Sequence, residues 1–409
     1  MNKSRKKILG FSPNVFFLGI VSFLTDVSSE MIFTLIPLFL SNVMGVGATF
    51  VGLVGGISES TDAVLRILSG WLSDRLRRYK ALALVGYGLS TVAKPFMYLA
   101  ASWGAVLAIR LADRMGKGVR SSPRDALIAH SSLSGKVGRS FGWHRAMDTS
   151  GAVLGLILAA IIIYSVQGWG YELSFAAYRW LVVAGVVPAL LAVLVLWRFV
   201  READKNKPQD TAIDRIGFLR SSLAGFDTRF KVFLVVIGVF TLGNSSDFFV
   251  ILRAQNLSVP LITVIMMLVL FNVTYALVAM PAGIVSDRLG RRRVIAFGWV
   301  IYAFVYLGFA VVSAAWQTWL LFAVYGVYQG LVEGVARAFV ADLVPEERRG
   351  TAYGLYHGVV GLALLPASLI AGLLWDAVSP AAPFYLGAGL AFLAALGLVI
   401  FVRERRGIR

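Results

Sequence analysis

Long apolar stretches recur along this 409-residue chain, and they constrain its fold more than any other feature. Most are about 20 residues or longer, the length at which an α-helix crosses roughly 30 Å of hydrocarbon in a lipid bilayer. Hydrophobic residues make up 58% of the chain and charged residues only 15%, which leaves too little polar surface for a soluble protein. The sequence therefore predicts an all-α polytopic membrane protein.

Lysine and arginine residues are concentrated in the segments between alternate apolar stretches, and Arg179 and Arg253 are the clear exceptions. Because cytoplasmic loops carry the excess of positive charge, this distribution predicts that both chain termini lie in the cytoplasm. It also accounts for the net charge of +17 without a nucleic-acid partner. We expect a multi-pass protein of the cytoplasmic (inner) membrane that is a monomer in the lipid bilayer.

Twelve candidate membrane spans form two sets of six. Their approximate limits are 13–40, 48–73, 81–101, 103–128, 140–165, 177–200, 230–252, 260–285, 294–314, 317–341, 351–376 and 382–402. The longest polar stretch contains READKNKPQD and separates the sixth span from the seventh. We predict two six-helix bundles, at residues 1–200 and 230–409, joined by a cytoplasmic linker at 201–229.

The two halves share a motif at equivalent positions. GWLSDRLRRYK (Gly70–Lys80) follows the second span, and GIVSDRLGRRR (Gly283–Arg293) follows the eighth, 213 residues later. Internal duplication of this kind is typical of secondary transporters. The motif resembles the signature loop of the major facilitator superfamily. RLADRMGKG (Arg110–Gly118), in the fourth span, is similar in part to a second motif of that superfamily.

The resemblance implies twelve helices in two pseudo-symmetric bundles that rock about a central cavity lined by spans one, four, seven and ten. One hypothesis for the duplicated loop is that it acts as a gate. Its charges then pair with helix ends of the other half when the cytoplasmic side is closed. Alternatively, the basic residues of the loop only fix the topology. The gating candidates are Gly70, Asp74, Arg75, Gly283, Asp287 and Arg288.

Two carboxylates lie near the middle of the first span, in FLTDVSSEMIF. Asp26 and Glu30 are four residues apart, so they share one face of a helix. Ionisable residues within a membrane are costly and normally mark a functional site, and neighbouring carboxyl groups can share a proton. We predict that Asp26 and Glu30 couple transport to protons, although they could instead serve helix packing alone. His144 and Asp148, on one face of the fifth span, form a further candidate relay.

The fourth span carries an unusual number of cations. Arg110, Arg114 and Lys117 share one face, with Asp113 between them. One interpretation is internal pairing, in which Arg110 is the best partner for the acids of the first span. The other is that a cation of this span binds an anionic group of the substrate, so Arg110, Asp113 and Arg114 are candidate binding residues.

The second half of the chain has fewer charges within its spans. Asp247, in SSD, corresponds to the glutamate of SSE in the first span. Asn272 and Tyr275 lie in the eighth span, and Glu333 lies in the tenth. We predict that these four residues contribute to substrate binding. Aromatic residues of the same spans could form an apolar wall of the pocket or serve packing, and they include Phe248, Phe249, Phe271, Tyr325 and Tyr328.

Motifs of other protein classes are absent from the sequence. It contains no G-x-x-x-x-G-K-S/T, H-E-x-x-H or G-x-S-x-G motif and no cysteine. The sequence therefore predicts no ATP coupling, no metal, no cofactor and no enzymatic activity.

The leading hypothesis is a secondary active transporter that moves a small organic molecule by alternating access coupled to the proton gradient. Efflux is favoured because acids in span one opposite an arginine in span four resemble the proton-coupled drug exporters of the superfamily. The G-x-x-x-G-P-x-x-G-G motif of those exporters is matched only in part by GAVLGLILAA (Gly151–Ala160). The alternatives are proton-coupled transport of a small organic anion, such as a metabolite or siderophore, and a non-transporting membrane sensor.

Overall fold

The computed structural model describes residues 8–76, 78–132, 136–202, 225–345 and 348–402. Most of the predicted linker and the basic segments at both termini lie outside these residues. The described chain forms twelve long helices and no β-strand. They are α1 (Pro13–Val43), α2 (Ala48–Leu76), α3 (Tyr79–Ala93), α4 (Trp103–Ser131), α5 (Val137–Gln167), α6 (Phe175–Phe199), α7 (Thr228–Asn256), α8 (Leu261–Leu289), α9 (Arg291–Val311), α10 (Ala315–Leu343), α11 (Arg349–Ala377) and α12 (Ala382–Phe401).

The helices confirm the prediction of an all-α polytopic membrane protein. Within the described ranges, nine of them are long and apolar enough to cross a membrane. The other three are α2, α3 and α4. Helices α2 and α4 carry several charged residues. Helix α3 has only 15 residues before it continues as a 3-10 helix at Lys94–Leu99, which contains a proline.

Two helices are irregular within the membrane-length stretch. Helix α1 ends in a π-helical turn at Phe39–Val43. Helix α7 consists of two segments, Thr228–Gly243 and Phe248–Asn256, because the residues between them leave the helical hydrogen-bonding pattern. The break places Asp247 at the start of the second segment.

The chain forms two compact units, and α2 contributes to both. The first unit comprises residues 1–44 and 61–212, and the second comprises residues 45–60 and 213–409. In the second unit the first half of α2 packs closely on α11, where a Cβ atom added at Gly52 would lie 2.3 Å from the Ser368 carbonyl oxygen. A side chain cannot fit at that distance, so glycine is required for this contact.

The two arginines that depart from the charge pattern of the loops have structural partners. Arg253 donates hydrogen bonds to the carbonyl oxygens of Phe309 and Ala310, at 2.9 and 3.3 Å, and thereby caps the end of α9. A cation is favourable at this position because the last carbonyls of a helix carry partial negative charge. Arg179 lies over the Phe175 ring, with its guanidinium carbon 4.1 Å from the ring centroid.

Candidate functional site

Two glycines of α5 set the distance between α5 and α1. A Cβ atom at Gly151 would lie 2.4 Å from the carbonyl oxygen of Phe23, and one at Gly155 would lie 2.6 Å from that of Val27. Real side chains do not tolerate such contacts, so this small-xxx-small pair permits the helices to approach closely. The close approach brings the polar residues of the two helices together.

Asp148 of α5 lies beside Asp26 of α1. The Ser22 hydroxyl donates a hydrogen bond to Asp148, and the Asp26 and Asp148 carboxyl groups are within hydrogen-bonding reach of each other. Two carboxyl groups form such a bond only when one of them carries a proton. The structure therefore contains an acid pair that can share a proton. The sequence identified Asp26 as a coupling residue but did not predict that it pairs with Asp148.

Arg145 and His144 lie next to this acid pair. A guanidinium nitrogen of Arg145 is 3.6 Å from an Asp148 carboxylate oxygen. His144 is buried and lies close enough to Asp148 for the two side chains to interact electrostatically. The relay suggested by the spacing of His144 and Asp148 thus includes one residue, Asp148, that lies beside Asp26.

Glu30 lies one turn beyond Asp26 and faces the basic side of α4. The Thr34 hydroxyl donates a hydrogen bond to it. The positive charges of Lys117, Arg110 and Arg114 act on its carboxylate. Glu30 therefore lies close enough to Arg110, Arg114 and Lys117 for their positive charges to act on it. The helical spacing of these three cations predicts that they share one face of α4.

Arg110 and Asp113 form a buried salt bridge within α4. Their closest nitrogen and oxygen atoms are 3.2 Å apart, and the two side chains are 4% and 5% exposed. Asp113 also accepts a hydrogen bond from the Ser90 hydroxyl, and the Arg110 guanidinium lies 4.6 Å from the centroid of the Phe33 ring. The salt bridge lies within α4, whereas the internal-pairing interpretation has Arg110 as the partner of an acid in the first span, on whose Glu30 the Arg110 charge also acts.

Lys94 is a buried cation that the sequence analysis missed. Its side chain is 1% exposed, and its ammonium group donates to the hydroxyls of Ser28 and Ser29 at 2.7 and 3.1 Å. These serines lie between Asp26 and Glu30 on α1. The sequence feature that could have predicted this residue is a single lysine in the largely apolar stretch STVAKPFMYL. A buried ammonium group is costly unless it has a functional or structural role.

Further cations surround the same region of the first unit. Arg66 pairs with Asp62 on α2, with nitrogen and oxygen 2.8 Å apart. Arg120 is buried and lies over the Tyr87 ring at 4.4 Å. The Arg120 Nε and one terminal nitrogen have no hydrogen-bond partner among the described residues.

The predicted binding residues of the second unit form two separate contacts. Tyr325 donates a hydrogen bond of 2.6 Å to Asp247. Tyr275 donates one of 2.7 Å to Glu333, which also pairs with Arg337. The amide of Asn272 donates to the Leu268 carbonyl of its own helix at 2.9 Å.

The duplicated loop is described most fully after α8. Asp287 pairs with Arg291 at 3.3 Å, and Arg291 also pairs with Asp342 at 2.8 Å. Arg288 and Arg75 are exposed. The Asp74 side chain lies outside the described residues, and the assignment of a gate to these loops stays a prediction.

Neither Gly70 nor Gly283, which begin the two loops, is required by a close contact. A Cβ atom at Gly70 would make only ordinary contacts with Ser122, and one at Gly283 would have no atom within 4 Å.

Within the described ranges, no three histidine, aspartate or glutamate side chains are grouped in a way that could hold a metal ion.

The sequence is similar to known transporters along its whole length. The model of the Major Facilitator Superfamily matches residues 18–252 and 232–409. An uncharacterised MFS-type transporter of Methanocaldococcus jannaschii is 38% identical over 98% of this chain and 98% of its own. A multidrug resistance protein, MdtG of Dickeya zeae, is 35% identical over 34% of each chain.

The fold is also found among solved structures. The nucleoside transporter NupG, as a D323A mutant, superposes with a TM-score of 0.77 over 95% of this chain and 100% of its own. The sequence identity is 13%, so this likeness concerns the fold alone. The whole-length match of the family model and the 38% identity to an MFS-type transporter establish that the chain is a transporter of the major facilitator superfamily.

Proposed function

We propose that this protein is a proton-coupled secondary transporter that exports a small organic molecule, and that Asp26, Asp148 and Glu30 carry the coupling. The carboxyl pair formed by Asp26 and Asp148 supports this proposal most directly. We further propose that the two six-helix bundles alternate access to the two sides of an inner membrane. Both termini lie in the cytoplasm, and the unit of transport is a monomer.

The acid pair has the chemistry that coupling requires. A pair that shares one proton carries one negative charge, and gain or loss of a proton changes that charge by one unit. In a site of low dielectric, a change of one charge alters the electrostatic energy by far more than in water. The basic side of α4 and the Lys94 ammonium group lie close enough to respond to that change. Protonation can therefore bias one conformation over another.

Export is proposed on two grounds. The acids of α1 face the basic side of α4, an arrangement that resembles proton-coupled exporters. The similarity to a multidrug resistance protein over 34% of the chain points in the same direction.

The test is pH-driven flux in proteoliposomes with a panel of cationic drugs and organic carboxylates. Asp26→Asn, Asp148→Asn and Glu30→Gln are each expected to abolish flux driven by a pH gradient while the protein remains folded, because each removes a proton acceptor. Glu172→Gln is the matched control, since Glu172 is an exposed acid in the loop before α6. If all three variants retain pH-driven flux, the coupling site lies elsewhere.

A second candidate function is proton-coupled transport of a small organic anion. It is favoured by the buried Arg120, two of whose guanidinium nitrogens have no hydrogen-bond partner among the described residues. A carboxylate or phosphate would supply acceptors for a guanidinium group. The same panel tests this function. It is supported if carboxylates are transported, cations are not transported at a comparable rate, and the Arg120→Gln variant loses carboxylate transport.

A further inference from the structure

Lys94 is held in the first unit by hydroxyl groups, and among the described residues no carboxylate is bonded to it. Its ammonium group donates to Ser28 and Ser29 at 2.7 and 3.1 Å, and the centroid of the Phe33 ring lies 5.8 Å away. By contrast, Arg110 forms a salt bridge with an aspartate of its own helix. An ammonium ion out of water is costly unless it is paired. Lys94 is therefore a buried charge whose bonded partners, in the described part of the chain, are neutral.

The two serines connect Lys94 with the acids of α1. Ser28 and Ser29 lie between Asp26 and Glu30 in DVSSE. Because Ser29 follows Asp26 by three residues, the two side chains share one face of the helix. A serine hydroxyl can accept a hydrogen bond from an ammonium group or donate one to a carboxylate. The serines thus hold the ammonium group next to Asp26 without neutralising its charge.

Charged groups of two neighbouring helices act on Lys94. Asp26 of α1 and Asp113 of α4 attract its positive charge, whereas Arg110 and Arg120 of α4 repel it. Asp113 already has a salt-bridge partner in Arg110. Asp26 belongs to the acid pair, so it is the attracting group whose charge changes when that pair gains or loses a proton. Two further polar groups, on α6, donate to backbone carbonyls, and they are Tyr178 and Arg179.

We propose that Lys94 is the counter-charge of the Asp26–Asp148 pair and sets the pH range over which the pair exchanges its proton. While the pair holds a proton, the ammonium group bonds to Ser28 and Ser29. When the pair loses that proton, its second negative charge draws the ammonium group towards Asp26, a movement that the flexible four-carbon stem of lysine allows. Lys94 acts through the acid pair and is a positioning residue. The inference rests on the proposed function, because it takes this pair as the coupling site.

Electrostatics gives the direction of the effect. A positive charge near an acid pair favours its ionised form, and loss of that charge favours its protonated form. Lys117 also acts on Asp26, so removal of Lys94 should shift the titration of the pair without abolishing it. Removal of the two serine hydroxyls should have the opposite effect, because the ammonium group then has only the acid to bond to on that face of α1.

Infrared spectroscopy of the purified protein in lipid tests the proposal without substrate or a proton gradient. The C=O stretching band of protonated carboxyl groups is followed as the pH is raised, and the part of it that is lost in Asp26→Asn reports on the acid pair. Lys94→Met should move the midpoint of this titration about one pH unit higher. Ser28→Ala/Ser29→Ala should move it lower. The same order of midpoints is expected in the pH profile of flux.

Matched variants separate an effect of charge from an effect on the fold. Lys94→Arg keeps the positive charge and should titrate close to the wild type. Lys231→Met removes a lysine from the first turn of α7, in the other unit, and should leave the midpoint unchanged. Thermal unfolding checks that each variant is folded. A folded Lys94→Met protein that titrates like the wild type overturns the proposal, as does a serine double variant that shifts in the same direction as Lys94→Met.

The result is distinguishable from that of the coupling test. A carboxyl titration that depends on Lys94, in a protein without pH-driven flux, supports the counter-charge and contradicts the proposed coupling. The reverse result is pH-driven flux that is lost in Asp26→Asn, together with the same carboxyl titration in the wild type and in Lys94→Met. It supports the coupling and overturns the counter-charge.

Discussion

The two units of this transporter surround the acids of their membrane-length helices with different chemistry. In the first unit, acids lie against other charges, as in the Arg110–Asp113 salt bridge and the Asp26–Asp148 pair. In the second unit, Asp247 and Glu333 accept hydrogen bonds from tyrosines, and Glu333 also pairs with the half-exposed Arg337. Both units carry the same S-D-R-L loop motif, so the difference lies within the membrane-length helices. It teaches that two units with the same loop motif can hold their acids by different partners, mainly charged side chains in the first and tyrosine hydroxyls in the second.

The two kinds of surroundings differ in how much one substitution disturbs them. A buried charge that loses its partner retains the full cost of desolvation, whereas a neutral hydrogen bond contributes little net free energy. The first unit should therefore respond steeply to single substitutions and the second unit weakly.

The largest effect is expected for Arg110→Met, which leaves the Asp113 carboxylate buried without its salt-bridge partner. Because both side chains are almost fully buried, we expect a loss of about 3–5 kcal/mol in the free energy of unfolding. The measurement is thermal or denaturant unfolding in detergent. The double variant Arg110→Met/Asp113→Leu removes both charges and should recover most of the loss. A double variant no more stable than the single one would contradict the argument.

A smaller effect on stability, with a clear effect on coupling, is expected for Gly151→Ala. The added methyl group would lie 2.4 Å from the Phe23 carbonyl oxygen, so α5 must move away from α1 at the level of the acid pair. We expect a loss of about 1–3 kcal/mol in the free energy of unfolding and reduced pH-driven flux.

Gly142→Ala is the matched control for this change on the same helix. No atom lies within 4 Å of a Cβ placed at Gly142, and alanine favours a helix over glycine by about 1 kcal/mol. The control should therefore be neutral or slightly stabilising. Equal stability and equal flux for the two variants would show that the α1–α5 contact does not position the acid pair.

Much of the fold follows from hydrophobic length alone. The predicted spans 317–341 and 351–376 correspond to helices at Ala315–Leu343 and Arg349–Ala377, because the apolar stretch that crosses the bilayer also determines where the helix begins and ends. The break in α7 was not predicted. Its sequence, LGNSSD, contains a glycine and an asparagine but no proline, and apolar residues continue on both sides.

The contacts of the candidate site were less predictable than its residues. Helical spacing placed Asp26 and Glu30 on one face, but spacing within a helix carries no information about the neighbouring helix. The pairing of Asp26 with Asp148 depends on the close approach at Gly151 and Gly155. The G-x-x-x-G spacing in GAVLG was the available signal for that approach.

The smallest effect is expected for Tyr302→Phe in the second unit. The Tyr302 hydroxyl donates a hydrogen bond of 2.9 Å to the Gly243 carbonyl, at the end of the first α7 segment. Phenylalanine keeps the ring contacts and removes this neutral bond, so we expect a loss of about 1 kcal/mol in the free energy of unfolding. Tyr385→Phe, at an exposed tyrosine of α12, is the control and should change stability very little. A loss for Tyr302→Phe as large as that for Arg110→Met would remove the energetic distinction between the two units, because neutral bonds would then matter as much as buried charges.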